Sequence, residues 1–335
     1  MLEKYVNKVD VVSVVGMCKN AGKTTVVNQL IKDMFNDIRF GLTSIGIDGE
    51  TLDIVTNTHK PEIYVPKGTL IVTAKKTLNE GDITYRVLKV FDFHTPLGKL
   101  ILIDALSDGF VKIAGPSFNN QLEYIVDELK RFGAKKIIVD GAASRKQLAK
   151  SSICNSLILA TGASYNSNIN KVVQDTELVA NILEMDLTNE PELVSKVLEK
   201  SKVGLIQKDN SLINIKTDLG FESANEIFKH VNEFTTHIVI NGAITDTLLK
   251  SFFDKRKLLK RIEIVVSNPV NVIANSEILE KFYNAKISLK AYQKAELLFI
   301  SYNPISAYGY SFDKEEFKYK LKKSVNVDII NVVGG

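Results

Sequence analysis

Apolar and polar positions fall in blocks that switch between strand-like and helix-like periods. Val11 to Val15 is an unbroken β-branched run that stops at Gly16. A polar, Gly-containing stretch follows, and Lys23-Thr24-Thr25 then opens VVNQLIKDMF, whose apolar positions recur at helical spacing. Strand, loop and helix are expected in that order. Phe40 to Ile47 predicts a second strand, ending in Asp48-Gly49-Glu50. Residues 63–73 and 83–91 predict two more, with alternation clearest in ITYRVLKVF. The charged turn Asn79-Glu80-Gly81-Asp82 between them predicts a hairpin, a flap beside whatever the first loop binds.

Leu100 to Ile103 predicts a buried strand ending at Asp104, with Asp108-Gly109 shortly after. Ser117 is the expected cap of a helix through Phe132, which Gly133 ends. An apolar run from Ile137 ends in Asp140-Gly141. Ser156 to Ala160 predicts a further strand, followed by Thr161-Gly162-Ala163-Ser164 and a helix from about Asn168 to Leu183. Past residue 200, strands are expected at 203–206, 212–216, 237–241, 262–267, 297–302 and 327–333, with helices between. HIVINGAITDTLLKS, from His237, echoes the Asp140 stretch with Asn241 in place of the acid, either as a degenerate repeat or, the favoured account, as chance similarity between two βα turns.

The fold expected is α/β. Residues 1–200 should form a mostly parallel sheet of the P-loop NTPase type, with helices on both faces. Residues 201–335 should form a second, smaller α/β domain for a partner or ligand.

The first loop carries the chemistry. Gly22 lets the backbone turn its N–H groups inward, and the following helix N-terminus adds partial positive charge, so the loop suits phosphate. Lys23 has the reach for terminal phosphates, and the Thr24 hydroxyl suits a Mg²⁺ ion held by them. Five residues, Met17 to Ala21, separate Gly16 from Gly22, one more than in the common motif. The expected nucleotide-binding set is Gly16, Asn20, Ala21, Gly22, Lys23, Thr24 and Thr25, with ATP and Mg²⁺ as ligands.

Carboxylates complete such a site. In a doubly wound sheet, the carboxyl ends of the strands meet at the edge that holds the loop. Asp140 and Asp104 therefore compete to fix Mg²⁺ and its waters, and either is alternatively a plain strand-ending acid. Asp48 is either a switch carboxylate that senses the metal through water or part of a polar Asp-Gly turn. Lys23 and Asp140 are the catalytic candidates. The Thr161–Ser164 turn is a weaker candidate for lining base or ribose.

Composition narrows the setting. At 335 residues, 45% hydrophobic and 24% charged, the chain has room for one large or two medium domains. A net charge of +4 does not argue for nucleic acid. Cys18 and Cys154 lack metal-like spacing, which favours a reducing compartment. MLEKYVNKVD is too charged for a signal peptide, and no apolar run approaches a membrane span, so a cytoplasmic protein is expected.

Several features carry no argument of their own. Asn7-Lys8-Val9-Asp10 spells a guanine-reading motif but precedes the first strand, so it does not argue for GTP. Lys255 to Arg261 reads as a solvated basic helix face. The four histidines, His59, His94, His230 and His237, show no ligand spacing. Tyr302-Asn303-Pro304 with Tyr308-Gly309-Tyr310 is either packing under a loop or a binding surface.

GMCKNAGKTT and IIVDGA resemble the phosphate loop and acid-Gly-Ala turn of the dethiobiotin synthetase and cobyrinic acid amide-forming synthase group, across roughly residues 10–180. That resemblance favours Asp140 over Asp104 and implies ATP-driven activation of a small carboxylate. It also implies a substrate-binding lysine near the end of the second strand, and residues 40–59 contain none. The whole chain resembles P-loop accessory subunits, described as reactivases, of adenosylcobalamin-dependent lysine 5,6-aminomutase. GLTSIGIDGE, IIVDGAASRK and the SYNP…GYSFD tail carry that resemblance. It implies an ATPase that helps exchange damaged cobalamin on the aminomutase, alongside a second, MutS-like ATPase subunit.

Overall fold

The structure is a computed structural model and describes residues 2–34, 38–45, 62–116, 118–141, 156–217 and 223–332. A short helix, α1 (Glu3–Val6), leads into β1 (Val11–Gly16), all six residues of which are buried. An apolar run buried on both faces is what a central parallel strand requires. Helix α2 (Lys23–Met34) buries Val26, Val27, Leu30, Ile31 and Met34, one apolar stripe at helical spacing. Next come β2 (Phe40–Ser44), β3 (Ile63–Val65), β4 (Leu70–Ala74), a 3₁₀ turn (Lys75–Glu80), β5 (Tyr85–Thr95), β6 (Gly98–Ala105) and β7 (Gly109–Val111). Helix α3 (Asn119–Arg131) begins without a side-chain cap from Phe118, and Ser117 lies outside the described residues. Gly133, at φ +98°, ends it in the left-handed region. Then follow β8 (Lys136–Asp140), β9 (Ser156–Gly162) and α4 (Ile169–Leu183).

The chain divides into two compact units, Met1–Thr176 with Leu297–Gly335, and Glu177–Glu296. This corrects the expected boundary at residue 200. Strand β17 (Glu296–Asn303) returns to the first sheet, where it is followed by α10 (Lys314–Ser324) and β18 (Ile329–Ile330). Tyr302 of β17 is buried and packs edge-on against Phe317 of α10, with ring centroids 5.5 Å apart.

The first unit is built on a nine-stranded sheet in the order β18-β17-β9-β1-β8-β2-β4-β6-β5. Strands β9, β1, β8, β2 and β4 run parallel, β6 runs antiparallel to them, and the edge strand β5, antiparallel to β6, points the same way as β4. Helix α2 packs with Val12, Val14, Leu42 and Ile138 on one face. Leu129 of α3 lies against Gly41 on the other, since successive strand residues face opposite ways. Helices therefore cover both faces.

The expected hairpin across residues 79–82 is not formed. Asn79 and Glu80 close the 3₁₀ turn, and β5 pairs with β6 while β6 pairs with β4. These strands extend the main sheet as its antiparallel edge, so the expected flap is absent from the described residues. A two-stranded ribbon, β3 with β7, adds Ile63, Val65 and Val111 to the core on the α2 face.

The second unit holds α5 (Pro191–Leu198), β10 (Val203–Gln207), β11 (Leu212–Ile215), α6 (Ser223–His230), β12 (Thr235–Ile240) and β13 (Ile244–Thr245). It continues through α7 (Asp246–Asp254), α8 (Arg256–Leu259), β14 (Glu263–Val266), β15 (Val272–Ile273), α9 (Ser276–Asn284) and β16 (Leu289–Ala291). Its five-stranded sheet runs β11-β10-β12-β14-β16, parallel from β12 to β16. Residues 255–261 lie around α8 with their five cations exposed, as a solvated face requires. Among the described residues, no helix is long and apolar enough to cross a membrane.

Candidate functional site

Beyond Gly16 the chain leaves β1 through Met17, whose N–H donates to the Ala160 carbonyl of β9 at 2.9 Å. Asn20, at φ +60°, and Gly22, at φ +96°, then take left-handed conformations. Asparagine tolerates that region and glycine meets no steric penalty there. The two turns reverse the chain, so the five-residue spacing still delivers Lys23 to the start of α2.

The stem of Lys23 folds back across Gly16. A Cβ added at Gly16 would lie 3.0 Å from Lys23 Cδ, 3.1 Å from its Cγ and 3.0 Å from the Cys18 carbonyl oxygen. A side chain there would have to displace the Lys23 stem and crowd the Cys18 carbonyl. Ala21 is buried, while Thr24 and Thr25 are half-buried in the first turn of α2. Burial pushes the Cys18 thiol up to about 11, and the Lys23 ammonium pulls it only part of the way back.

Asp140 ends β8, the strand next to β1. Val14, Asp140 and Ser44 are register partners across β1, β8 and β2. Alternation puts all three on the α2 face, with Ile138 and Leu42. The strand ends are tied together: Gly141 N–H donates to the Val14 carbonyl at 2.9 Å, and Ile45 N–H to the Asp140 carbonyl at 3.2 Å. The loop, the start of α2 and Asp140 therefore share the carboxyl edge of the parallel strands. A threonine hydroxyl and a carboxylate are hard oxygen donors, a fit for Mg²⁺.

Asp104 does not join them. Strand β6 runs antiparallel to β4, and Asp104 pairs with Leu70 at the start of β4, which is the opposite edge of the sheet. Its carboxylate is 3.0 Å from Arg39 Nη2 and 2.9 Å from Arg86 Nη2. Placement as a metal ligand is corrected by strand direction. Asp48 lies outside the described residues.

The Thr161–Ser164 turn is pinned at the same edge as the loop. Ala163 N–H donates to the Asn303 carbonyl at 2.9 Å, Tyr310 Oη donates to the Ala163 carbonyl at 2.6 Å, and Ala307 N–H donates to Ser164 Oγ at 3.0 Å. Thr161 is turned inward, its hydroxyl 2.8 Å from that of Thr176. The cluster around 302–310 thus packs on the β9 turn, at the end of the strand next to β1.

Sequence reasoning missed a segment packed on the end of β2. After β7, Ala114 N–H donates to Thr73 Oγ1 at 2.9 Å, and Ala74 N–H donates to the Ala114 carbonyl at 3.0 Å. This brings Gly115 onto the end of β2, where a Cβ would lie 1.7 Å from the Ser44 carbonyl oxygen. The signal available was the Ala114-Gly115-Pro116 triplet, a close-approach glycine ahead of a rigid turn. Lys75 and Lys76 are exposed just beyond the carboxyl end of β4, on this same edge. No family model, curated protein or solved structure matches the chain.

Proposed function

We propose that this chain is a P-loop NTPase-type protein that binds Mg²⁺-ATP and hydrolyses it to drive a change in a protein partner. The observation that carries the reading is the Lys23 stem lying over Gly16 at the head of α2. There its ammonium can meet phosphate oxygens together with loop N–H groups. Mg²⁺, when bound, neutralises phosphate charge, and Thr24 and Asp140 are the residues that would hold it or its waters. In hydrolysis a water oxygen bonds to the γ-phosphorus, the bond to the β–γ bridging oxygen breaks, and ADP and phosphate leave.

The resemblance extends this reading to an accessory, reactivating factor for an adenosylcobalamin-dependent lysine 5,6-aminomutase, acting with a second ATPase subunit in the cytoplasm. Nucleotide state would bias two conformations that differ in affinity for the aminomutase. A ligase that phosphorylates a small carboxylate is the second reading. The position of Lys75 and Lys76 at the carboxyl edge favours it, because a developing acyl phosphate needs a fixed cation.

Calorimetry tests the nucleotide site: Lys23→Ala should weaken ATP binding roughly ten- to a hundred-fold, through loss of a charge-assisted contact. Unchanged affinity would overturn the assignment. For the partner, lysine 5,6-aminomutase inactivated by turnover is mixed with this protein, its companion ATPase, Mg²⁺-ATP and fresh adenosylcobalamin. Recovery that requires ATP and Lys23 supports the reactivase. ADP release stimulated by a small carboxylic acid alone, without rescue, supports the ligase.

A further inference from the structure

Two serine hydroxyls in the central strands are sealed from solvent and have no hydrogen-bond partner among the described residues: Ser13 Oγ in β1 and Ser44 Oγ in β2. A buried hydroxyl left unpaired costs stability, so its retention calls for a partner supplied by some other state of the protein. Ser13 sits mid-strand, opposite Val139 and Leu157. Ser44 is placed differently. It is the last residue of β2, beside Asp140 in register and on the same face, with strand neighbours about 4.8 Å apart. The Gly115 backbone closes over it: a Cβ there would lie 3.0 Å from Ser44 Oγ. Ser44 Oγ thus lies buried beside Asp140, at the carboxyl edge that carries the proposed Mg²⁺-ATP site.

We infer that Ser44 is a positioning residue for this site, its hydroxyl bonding a water of the Mg²⁺ shell beside Asp140 when nucleotide is bound. The inference rests on the Mg²⁺-ATP reading above. The chemistry is matched: Mg²⁺ keeps several of its waters, and each needs an acceptor or a second donor-acceptor group outside the ion. A serine hydroxyl both donates and accepts, so it can bond a metal-bound water without adding charge. Lysine at this position would instead fix an anion. Serine at the end of β2 therefore suits water-shell positioning better than capture of an acyl phosphate.

The test compares Ser44→Ala with Ser13→Ala, since each deletes one unpaired buried hydroxyl. Melting temperature is measured without ligand, then with saturating ATP across a Mg²⁺ titration, and with ATP plus EDTA. Ser44→Ala should melt no lower than wild type without ligand, because it loses no hydrogen bond there. It should bind ATP normally in EDTA, yet need about ten-fold more Mg²⁺ for half of the metal-dependent stabilisation. Ser13→Ala should keep the wild-type Mg²⁺ dependence. An unchanged Mg²⁺ midpoint in Ser44→Ala, or equal shifts in both variants, overturns the inference while leaving the ATP site standing. Failure of the wild type to bind ATP overturns both.

Discussion

The Asp104 carboxylate lies 3.0 Å from the Arg39 guanidinium, at the sheet edge opposite the Gly-Lys-Thr loop, while Asp140 stands at the loop's own edge. The two acids should therefore separate in experiment. Asp104 is buried, but its partners Arg39 and Arg86 are 40% and 63% exposed, so solvent screens the pairs. Asp104→Asn should cost about 1–2 kcal/mol in chemical denaturation and leave Mg²⁺-ATP hydrolysis at the wild-type rate. Asp140→Asn should do the reverse: near-native stability and no Mg²⁺-dependent turnover. Hydrolysis that dies only in Asp104→Asn would remove Asp140 from the site.

The contrast shows which parts of the site were legible in the sequence. The loop was, because strand, Gly-Lys-Thr and helix are contiguous and their chemistry is local. KIIVD and LILID carry one signature, an apolar strand ending in acid. Their directions differ because of pairings made elsewhere: β8 lies parallel between β1 and β2, whereas β6 lies antiparallel between β4 and β5. Two register shifts in β5 further blur its alternation. The domain boundary failed for a similar reason. ELLFISYN reads like the strands before it, and nothing within it reports that it joins β9's sheet. Ser44 was visible only as one polar residue in an apolar strand until Asp140 and Gly115 were placed beside it.

The seam between the β9 turn and the β17 turn predicts a sensitive glycine. A Cβ at Gly162 would lie 2.6 Å from the Asn303 carbonyl oxygen, which also accepts the Ala163 N–H. Gly162→Ala must push these backbones apart, at a cost of about 1–3 kcal/mol by denaturant titration. It should also weaken ATP binding, because the end of β9 holds the start of the loop through the Met17 N–H bond to the Ala160 carbonyl. A stable variant with native affinity would show that the seam yields without consequence.

Cys18 should be chemically quiet despite its place in the loop. With its thiol held near 11 by burial, only about one molecule in a thousand is thiolate at pH 8. In a Cys154→Ser background, iodoacetamide should label Cys18 far more slowly than free cysteine at pH 8. The rate should keep climbing past pH 10. Fast labelling at neutral pH would mean that the thiol is exposed or activated.

His237 should make the protein acid-sensitive. Burial lowers its pKa below 6.5, and this outweighs the raising influence of Glu263 and Glu190, while Lys290 lowers it further. Its Nε2 lies 3.8 Å from Glu263 Oε1, and Nδ1 lies 2.9 Å from the Thr236 hydroxyl. As pH falls below about 6.5, the unfolded chain takes up this proton before the folded one does, so stability is lost on the acid side. Above that range His237 is neutral in both states and contributes no slope. Melting temperatures between about pH 5 and 8 should therefore fall less steeply at the acid end in His237→Gln than in wild type. Equal slopes would show that His237 charges as readily in the fold as in the open chain.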